Sequence, residues 1–356
     1  MRLVSGAIPY QVAGDTATPL IEATIGAMLD RAVERWPEAD AIVSIEQQVR
    51  WSFREFARRS DELAAGLLAL GLKRGDRVGI WAPNCVEWTL TQFATARVGL
   101  IQVNINPAYR VTELEYTLNK VGVRALIAAE SFKSSRYLEM VETLAPKIAT
   151  SSPGQLRSAR LPQLECVVTL GGARPGWLQF SEVSTNVVDA VHAAASEVEN
   201  RQPINIQFTS GTTGLPKGAT LSHRNIVNNA YFVGASMGLK AGDRLCVPVP
   251  LYHCFGMVMA NLACIVHGAT IVYPPAGFDA LAVLQAVESE RCTAIHGVPT
   301  MFIAELEHPR FNDFDLSSLR AGIMAGSPCP IEVMRRVVGR MGVREIRAGC
   351  TPATSV

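Results

Sequence analysis

The sequence predicts an α/β fold built on parallel sheet. Apolar stretches of strand length alternate with stretches of helical periodicity along nearly the whole chain, and this order requires right-handed crossovers between parallel strands. Of the 356 residues, 48% are hydrophobic, so the chain can build a large core. Lys plus Arg (33) nearly balance Asp plus Glu (32), which excludes a disordered polyelectrolyte and gives no electrostatic reason for nucleic-acid binding.

The first half of the chain predicts helices that begin at capping boxes and alternate with short strands. The capping boxes pair Ser52 with Glu55, Asn84 with Glu87 and Thr112 with Glu115. The predicted elements are helix 25–36, strand 41–45, a helix from 52 to 71, strand 77–82, helix 85–98, strand 100–104, a helix from 112 and strand 124–128. Residues 146–186 are rich in Pro, Ser and Gly around strand 166–170, which predicts a surface connection.

The second half repeats this alternation. Its predicted strands are 204–208, 219–221, 243–247, 269–273, 293–296 and 319–324, and its predicted helices are 222–237, 253–267, 279–290, 299–307 and 331–341. Phe255 to Tyr273 is a run of 19 residues without a charge. Asn261 and His267 would be costly in lipid, so a buried helix followed by a buried strand explains the run better than a membrane span.

The cysteines and histidines predict neither disulfides nor a metal site. The eight cysteines include no Cys-x-x-Cys pair, and we interpret them as reduced, buried thiols of a cytoplasmic protein. The first ten residues lack the apolar stretch of an export signal. Four histidines have no ligand-like spacing, namely His223, His267, His296 and His308.

The most informative string is the ten residues Thr209-Ser210-Gly211-Thr212-Thr213-Gly214-Leu215-Pro216-Lys217-Gly218, between two predicted strands. Its glycines allow backbone N–H groups to turn inward, its hydroxyls can donate to phosphate oxygens, and its lysine can neutralise charge. It is not a Walker A loop, because Pro216 precedes the lysine and Gly218 offers no hydroxyl to magnesium. We therefore predict a polyphosphate-binding loop rather than a Gly-rich hairpin with a solvated lysine.

Other motifs lie in the order and spacing of one family. They are Asn104-Ile105-Asn106-Pro107, Leu221-Ser222-His223-Arg224-Asn225, Pro250-Leu251-Tyr252-His253-Cys254-Phe255-Gly256, Gly297-Val298-Pro299-Thr300 and Ala325-Gly326-Ser327-Pro328. From about Ile25 to Glu345 the chain resembles the AMP-forming acyl-CoA synthetase superfamily, and within it most resembles medium- to long-chain fatty-acyl-CoA synthetases. The resemblance implies the large N-terminal domain of an adenylate-forming enzyme, incomplete over residues 1–356. It implies two mainly parallel sheets flanked by helices, with one sub-domain at about 76–235 and another at about 20–75 plus 236–356.

The resemblance also implies a two-step reaction. A fatty carboxylate attacks the α-phosphate of Mg-ATP, and coenzyme A then displaces AMP from the acyl-adenylate. Thr209 to Lys217 would hold the phosphates, with Lys217 as a catalytic charge, and His253 would be a second catalytic residue beside the carboxylate. The turn Gly326-Ser327-Pro328 would bind adenine. Taken alone, His253 at the start of an apolar helix is more often a structural group, and the turn could be a simple strand-to-helix connection.

The chain departs from the family at its C-terminal end. Where the family has Tyr-Gly-x-Thr-Glu, with the Glu holding magnesium, this sequence has Ala348 in place of the Tyr and Pro352 in place of the Glu. Without that carboxylate, no protein metal ligand is assigned, and the ribose-binding Asp, the hinge and the lysine-bearing C-terminal domain are also expected to be absent. Two functions remain: a truncated fatty-acid–CoA ligase that does not complete thioester formation, or a non-catalytic nucleotide- or acyl-binding remnant. The expected partners are small molecules, with a homo-oligomer left open.

Overall fold

Two seven-stranded sheets form the framework of residues 17–209 and 215–349, the part of the chain that the computed structural model describes. Most strand pairs are parallel and helices flank both sheets, so the predicted α/β class is confirmed. The strands are β1 (Asp40–Ser44), β2 (Val49–Ser52), β3 (Arg77–Trp81), β4 (Ile101–Asn104), β5 (Val123–Ala128), β6 (Ser131–Phe132), β7 (Ser135–Arg136), β8 (Cys166–Thr169), β9 (Leu178–Gln179), β10 (Pro203–Thr209), β11 (Lys217–Ser222), β12 (Arg244–Cys246), β13 (Thr270–Tyr273), β14 (Ala294–Gly297), β15 (Ala321–Ala325) and β16 (Glu345–Gly349).

The helices of the described residues follow the predicted order closely. They are α1 (Ile25–Arg35), α2 (Phe53–Ala69), α3 (Val86–Arg97), α4 (Val111–Val121), α5 (Tyr137–Leu144), α6 (Phe180–Val183), α7 (Asp189–Ser196), α8 (His223–Ser236), α9 (Cys254–Gly256), α10 (Ala263–His267), α11 (Ala280–Ser289), α12 (Pro299–Leu306) and α13 (Ile331–Met341). A π-helical segment, Met257–Leu262, joins α9 to α10.

Each sheet combines strands that are distant in sequence. The first sheet has the order β16-β15-β14-β12-β13-β1-β2, and the second sheet has the order β11-β10-β4-β3-β5-β8-β9. The pairs β1–β2 and β10–β11 are antiparallel, and the other pairs within the two sheets are parallel. The hairpin β10–β11 at the edge of the second sheet therefore carries the predicted phosphate loop.

The two sheets share one hydrophobic core. Ile80 of β3 and Ile271 of β13 belong to the same buried cluster, and every residue of α3 from Trp88 to Arg97 is buried within it or beside it. Burial on all sides explains why α3 lacks an amphipathic pattern. The same cluster contains Phe255, beside His253, and Ala325, beside Gly326, so it also anchors these two candidate site segments.

The uncharged run from Phe255 to Tyr273 is buried helix and strand, as predicted. Its Asn261 lies in a fully buried polar network, in which Tyr273 Oη donates to Asn261 Oδ1 (2.6 Å) and Asn261 Nδ2 donates to Thr89 Oγ1 (3.0 Å). In the part of the chain that the structure describes, no helix is long and apolar enough to cross a membrane.

The predicted caps were right at two helices and wrong at two others. Ser52 and Ser222 accept hydrogen bonds from N–H groups in the first turns of α2 and α8. Asn84 does not cap α3, because its side chain bonds the distant backbone of Val249 and Leu251. The predicted pair of Thr112 and Glu115 does not cap α4 either, because the N-cap of α4 is Arg110.

Helix α4 begins before Thr112, and its cap is the bond from the Arg110 N–H to the Glu113 carboxylate (3.1 Å).

Residues 146–186 are loop-rich as predicted, but they are more than a surface connection. Their buried apolar side chains Leu156, Leu161, Leu164 and Trp177 pack into the cluster beside β5.

Candidate functional site

The predicted site residues lie at or just beyond the carboxyl ends of strands in both sheets. Thr209 ends β10 in the second sheet, whereas in the first sheet His253 follows β12 and Gly326 follows β15. In open parallel sheets this edge is where ligands bind, because the loops that leave it are free to vary without disturbing the sheet. No hydrogen bond or ion pair joins Lys217, His253 and the 326–328 turn to one another within the described residues.

The ends of the predicted phosphate loop face each other across the β10–β11 hairpin. Thr209 and Lys217 are direct register partners, and Lys217 is exposed. Tyr116 of α4 donates from its hydroxyl to the carbonyl of Pro216 (3.2 Å), which ties the second end of the loop to the body of the protein. Leu215 is exposed, whereas Ser210, Gly211, Thr212, Thr213 and Gly214 lie outside the described residues.

His253 caps the helix that follows it. Its Nδ1 accepts a hydrogen bond from the Phe255 N–H (3.1 Å), so in the neutral ring the proton is on Nε2. Burial lowers the pKa of His253, which favours this neutral form near pH 7. Within the described residues Nε2 has no hydrogen-bond partner, and it can therefore donate to a ligand.

Gly256 lets the start of this helix lie directly against the backbone of the turn before it. A Cβ placed on Gly256 would come within 2.8 Å of the Pro250 carbonyl carbon and within 2.9 Å of the Leu251 Cα. Side-chain Cβ atoms do not occur at such distances, so only glycine allows this approach. The glycine of the Tyr-His-Cys-Phe-Gly string thus sets the distance between His253's helix and the 250–251 backbone.

The turn after β15 is exposed and needs its glycine. Gly326 has φ +88°, a conformation that other residues rarely adopt, and Ser327 and Pro328 are exposed beside it. A Cβ on Gly326 would lie 3.0 Å from Cγ1 of Val298, just after β14. The turn therefore presents backbone and small side chains at the carboxyl edge of the first sheet.

A cleft of about 400 Å³ opens next to His253, and its charges were not predicted from the sequence. Its lining includes Tyr252, Asn106, Arg110, Phe132 and Lys133. Neither Arg110 nor Lys133 forms an ion pair within the described residues; Arg110 bonds the Ser134 hydroxyl and Lys133 lies over the Phe132 ring. Two cations beside apolar surface suit an anionic ligand with an organic part. The sequence signals were two of the family-like motifs, which supply Asn106, Pro107, Pro250 and Tyr252 to the cleft.

The histidines outside the candidate site have structural surroundings. His223 Nδ1 accepts from the Ile25 N–H (3.1 Å), and His296 Nε2 bonds the Met259 carbonyl (3.1 Å). Burial lowers the pKa of each to about 4. Within residues 17–209 and 215–349, no three His, Cys, Asp or Glu side chains are grouped to hold a metal ion.

Comparison with known proteins gives consistent matches. The sequence pattern of the family described as AMP-binding enzyme matches residues 29–356. The medium-chain acyl-CoA ligase ACSF2, mitochondrial, of Danio rerio is 45% identical over 95% of the chain, and its Homo sapiens counterpart is 39% identical over 97%. The chain spans 57% and 58% of the lengths of these two relatives.

Solved structures show the same fold. The anthranilate CoA ligase AuaEII in complex with anthranoyl-AMP superposes with a TM-score of 0.80 at 24% identity, over 94% of this chain and 61% of that one. The N-terminal domain of FACL13 from Mycobacterium tuberculosis has a TM-score of 0.76 at 22% identity, over 93% of this chain and 76% of that one. At these identities the likeness concerns the fold alone.

Proposed function

Because the chain belongs to the family of AMP-binding enzymes, we propose that it is the nucleotide- and acyl-binding part of an AMP-forming fatty-acid–CoA ligase. In the first step a carboxylate oxygen of the fatty acid attacks the α-phosphorus of ATP, and pyrophosphate leaves. In the second step the thiol sulfur of coenzyme A attacks the acyl carbon, the thiol proton is released, and AMP leaves. Such chemistry depends mainly on positioning and on charge neutralisation.

One observation carries the proposal: a hydroxyl and a lysine of the Gly/Thr-rich hairpin lie at the carboxyl edge of the second sheet, where β4 also bonds the turn that carries His253. Thr209 and Lys217 are register partners where the loop begins and ends. A flexible ammonium group there can neutralise the β- and γ-phosphates, and the hydroxyl can donate to a phosphate oxygen. The residues between them, from Ser210 to Pro216, are proposed to complete this cradle.

His253 is proposed to orient the fatty carboxylate. Its Nδ1 is engaged by the Phe255 N–H, so the free Nε2–H can donate to a carboxylate oxygen. Burial lowers the pKa of His253 and so favours the neutral ring, which offers a hydrogen bond without the full positive charge that would stabilise the attacking carboxylate. The exposed turn Gly326-Ser327-Pro328 is proposed to contact adenine through its backbone.

Coenzyme A is proposed to enter by the cleft between Tyr252 and Lys133. Its phosphates would meet the side chains of Arg110 and Lys133, whose charged groups form no ion pair in the described part of the chain. Its thin pantetheine arm would pass Asn106 and Tyr252 toward His253. The apolar wall that Phe132 and Phe278 contribute can accept the adenine ring.

Magnesium is proposed to arrive as Mg-ATP. Mg²⁺ usually keeps several waters and binds through substrate phosphates with one or two carboxylates. Within the described residues no three His, Cys, Asp or Glu side chains are grouped to hold the ion, so no protein ligand is assigned to it.

The relatives' names support a medium-chain fatty acid as the substrate, within the medium- to long-chain range that the motifs indicate. The sub-domain boundaries at about 76–235, and at 20–75 plus 236–356, stay a proposal. The cytoplasmic location also stays a prediction, since the name of the Danio rerio relative places that protein in mitochondria.

Two measurements test the proposal: ligand binding first, and adenylate formation second. Calorimetric titration of the 356-residue chain with Mg-ATP and with octanoate should give saturable binding of both. Incubation with both ligands should release pyrophosphate and yield octanoyl-AMP by mass spectrometry. Absence of binding for both ligands would refute the proposal.

The same experiment separates the alternative function. Saturable binding of Mg-ATP and octanoate without octanoyl-AMP would favour a non-catalytic nucleotide- or acyl-binding protein. Addition of coenzyme A to a reaction that does form the adenylate then tests the thioester step, which the sequence predicts this chain does not complete.

A further inference from the structure

The turn that carries His253 is held from the opposite sheet by two asparagines. Residues 247–252 follow β12 of the first sheet and have no regular secondary structure, although Val247, Val249 and Leu251 are fully buried. Pro248 and Pro250 lack N–H groups, so this segment has fewer backbone bonds with which to fix itself. Its placement must come from contacts outside the segment.

Asn84, just beyond β3 of the second sheet, makes the first of these contacts. Its Nδ2 donates to the Val249 carbonyl (2.9 Å), and its Oδ1 accepts from the Leu251 N–H (2.9 Å). One side chain therefore satisfies a donor and an acceptor on either side of Pro250. The pair of bonds fixes both the position and the direction of the chain two residues before His253.

Asn104, the last residue of β4, makes the second contact. It is 2% exposed, and its Nδ2 donates to the Tyr252 carbonyl (3.1 Å), the residue immediately before His253. Its Oδ1 accepts from Gln102 Nε2 (2.9 Å) and from Asn205 Nδ2 (2.9 Å). Asn205 lies on β10, the strand that ends at Thr209, so one chain of hydrogen bonds links the phosphate hairpin to the histidine turn.

We propose that Asn84 and Asn104 are positioning residues that hold the 249–252 backbone so that the His253 imidazole meets its ligand. This inference rests on the proposed function, since it assigns His253 a carboxylate to orient. Asn84 also lines the cleft, but the role proposed for both asparagines is exerted through the backbone next to His253. Small displacements of an orienting group weaken its contact steeply, which makes the two carboxamides part of the site's geometry.

A double-mutant cycle distinguishes this role from general structural support. Asn84→Ala should weaken octanoate binding about tenfold in the unmodified chain but less than twofold in a His253→Ala background. Asn104→Asp should behave in the same way, because it keeps an acceptor and removes the donor to the Tyr252 carbonyl and to Met257 Sδ, although it also adds a buried ionisable group. Asn119→Ala is the matched control, because this exposed asparagine bonds only the Arg160 carbonyl on another face. Equal losses in both backgrounds would overturn the proposal.

A second readout does not depend on fatty-acid binding. The ring ¹³C–¹H signal of His253, assigned by its loss in His253→Ala, should shift in both asparagine variants and stay in place in the control. If octanoate does not bind, the proposed function fails, and this signal still decides the inference. An unchanged His253 signal in folded Asn84→Ala and Asn104→Asp proteins would refute it.

Discussion

At the residue scale, environment decides what each ionisable side chain can do. Partial burial lowers the pKa of His253 and so favours its neutral ring, whereas Lys217 is exposed at the end of a hairpin loop. Glu305 of α12 is fully buried, and neither of its carboxylate oxygens has a hydrogen-bond partner in the described residues. Burial raises the pKa of Glu305 well above its usual value, so the carboxyl is held in its neutral form more strongly than in water.

Replacing Lys217 by Ala should weaken Mg-ATP binding. A charge-assisted contact contributes roughly 1.5–3 kcal/mol, which corresponds to about a 10- to 150-fold loss of affinity. Isothermal titration calorimetry on both proteins measures it, and Lys240→Ala serves as the control because Lys240 is also exposed but precedes the amino end of β12. Equal affinity for ATP with and without Lys217 would contradict its assignment to the phosphate site.

Replacing Glu305 by Leu should stabilise the protein. The carboxyl contributes no hydrogen bond, and its burial costs free energy that an apolar group of similar size avoids. We expect the free energy of unfolding at pH 7, measured in urea, to rise by roughly 1–3 kcal/mol. Glu307→Leu, at the exposed C-cap of the same helix, should change it little, because it removes only a surface ion pair with Arg336. A loss of stability in Glu305→Leu would mean that the carboxyl has a partner.

At the element scale, the helix from Cys254 to His267 combines two demands. Its first turn must approach the 250–251 backbone, which only Gly256 allows, and its π-helical segment must place Asn261 in the polar network with Thr89. Such π segments often occur at functional sites. Since even a methyl group collides with backbone at position 256, a larger side chain there would unfold the protein and could not test ligand binding.

Replacing Gly256 by Ala should therefore destabilise the protein by roughly 1–3 kcal/mol, the usual cost of forcing extra volume into a packed interior. It should also reduce the rise in melting temperature that octanoate causes. Gly339→Ala on α13 is the matched control, because nothing lies within 4 Å of its added Cβ. In an exposed helix interior that change should stabilise by about 0.5–1 kcal/mol. Differential scanning calorimetry gives both values, and equal effects would contradict the close approach.

At the scale of the whole molecule, stability depends on pH through buried titratable side chains. The pKa of His223 and of His296 is lowered to about 4. The unfolded chain therefore binds more protons than the folded one between about pH 4 and pH 6.5, and stability falls as pH falls through this window. Glu305 acts in the opposite direction, because its raised pKa makes the folded state lose stability as pH rises above about 4.5.

We expect each of the two histidines to lower the free energy of unfolding by about 2 kcal/mol between pH 7 and pH 5. Urea unfolding at both pH values in the Glu305→Leu background removes the opposing contribution of that carboxyl, while the lowered pKa of His253 and of His267 still acts in the same direction as the two histidines. The double variant His223→Gln, His296→Gln should lose most of the decrease, while the exposed His192→Gln should keep it. If the free energy of unfolding of the double variant falls between pH 7 and pH 5 as steeply as that of its parent, other groups cause the acid sensitivity.

The sequence alone determined the fold class, most helices and strands, and the phosphate-loop string. These depend on local periodicity and on which residue types stand next to one another. The β10–β11 hairpin, the α8 cap at Ser222 and the buried helix after His253 were therefore predictable. Of the two wrong caps, Asn84 bonds a distant segment instead, and Thr112 lies inside a helix that begins at Val111.

Only the tertiary structure decided which distant groups meet. Asn84 has the spacing of a helix cap, yet its side chain bonds the backbone of Val249, 165 residues away. Three other features likewise depend on segments that only the folded sheets bring together. They are the two cations of the cleft, the Glu305 carboxyl without a hydrogen-bond partner in the described residues, and the close backbone approach at Gly256. The physical reason is that a buried polar group must find whichever partner the packing supplies, and local sequence carries no record of that partner.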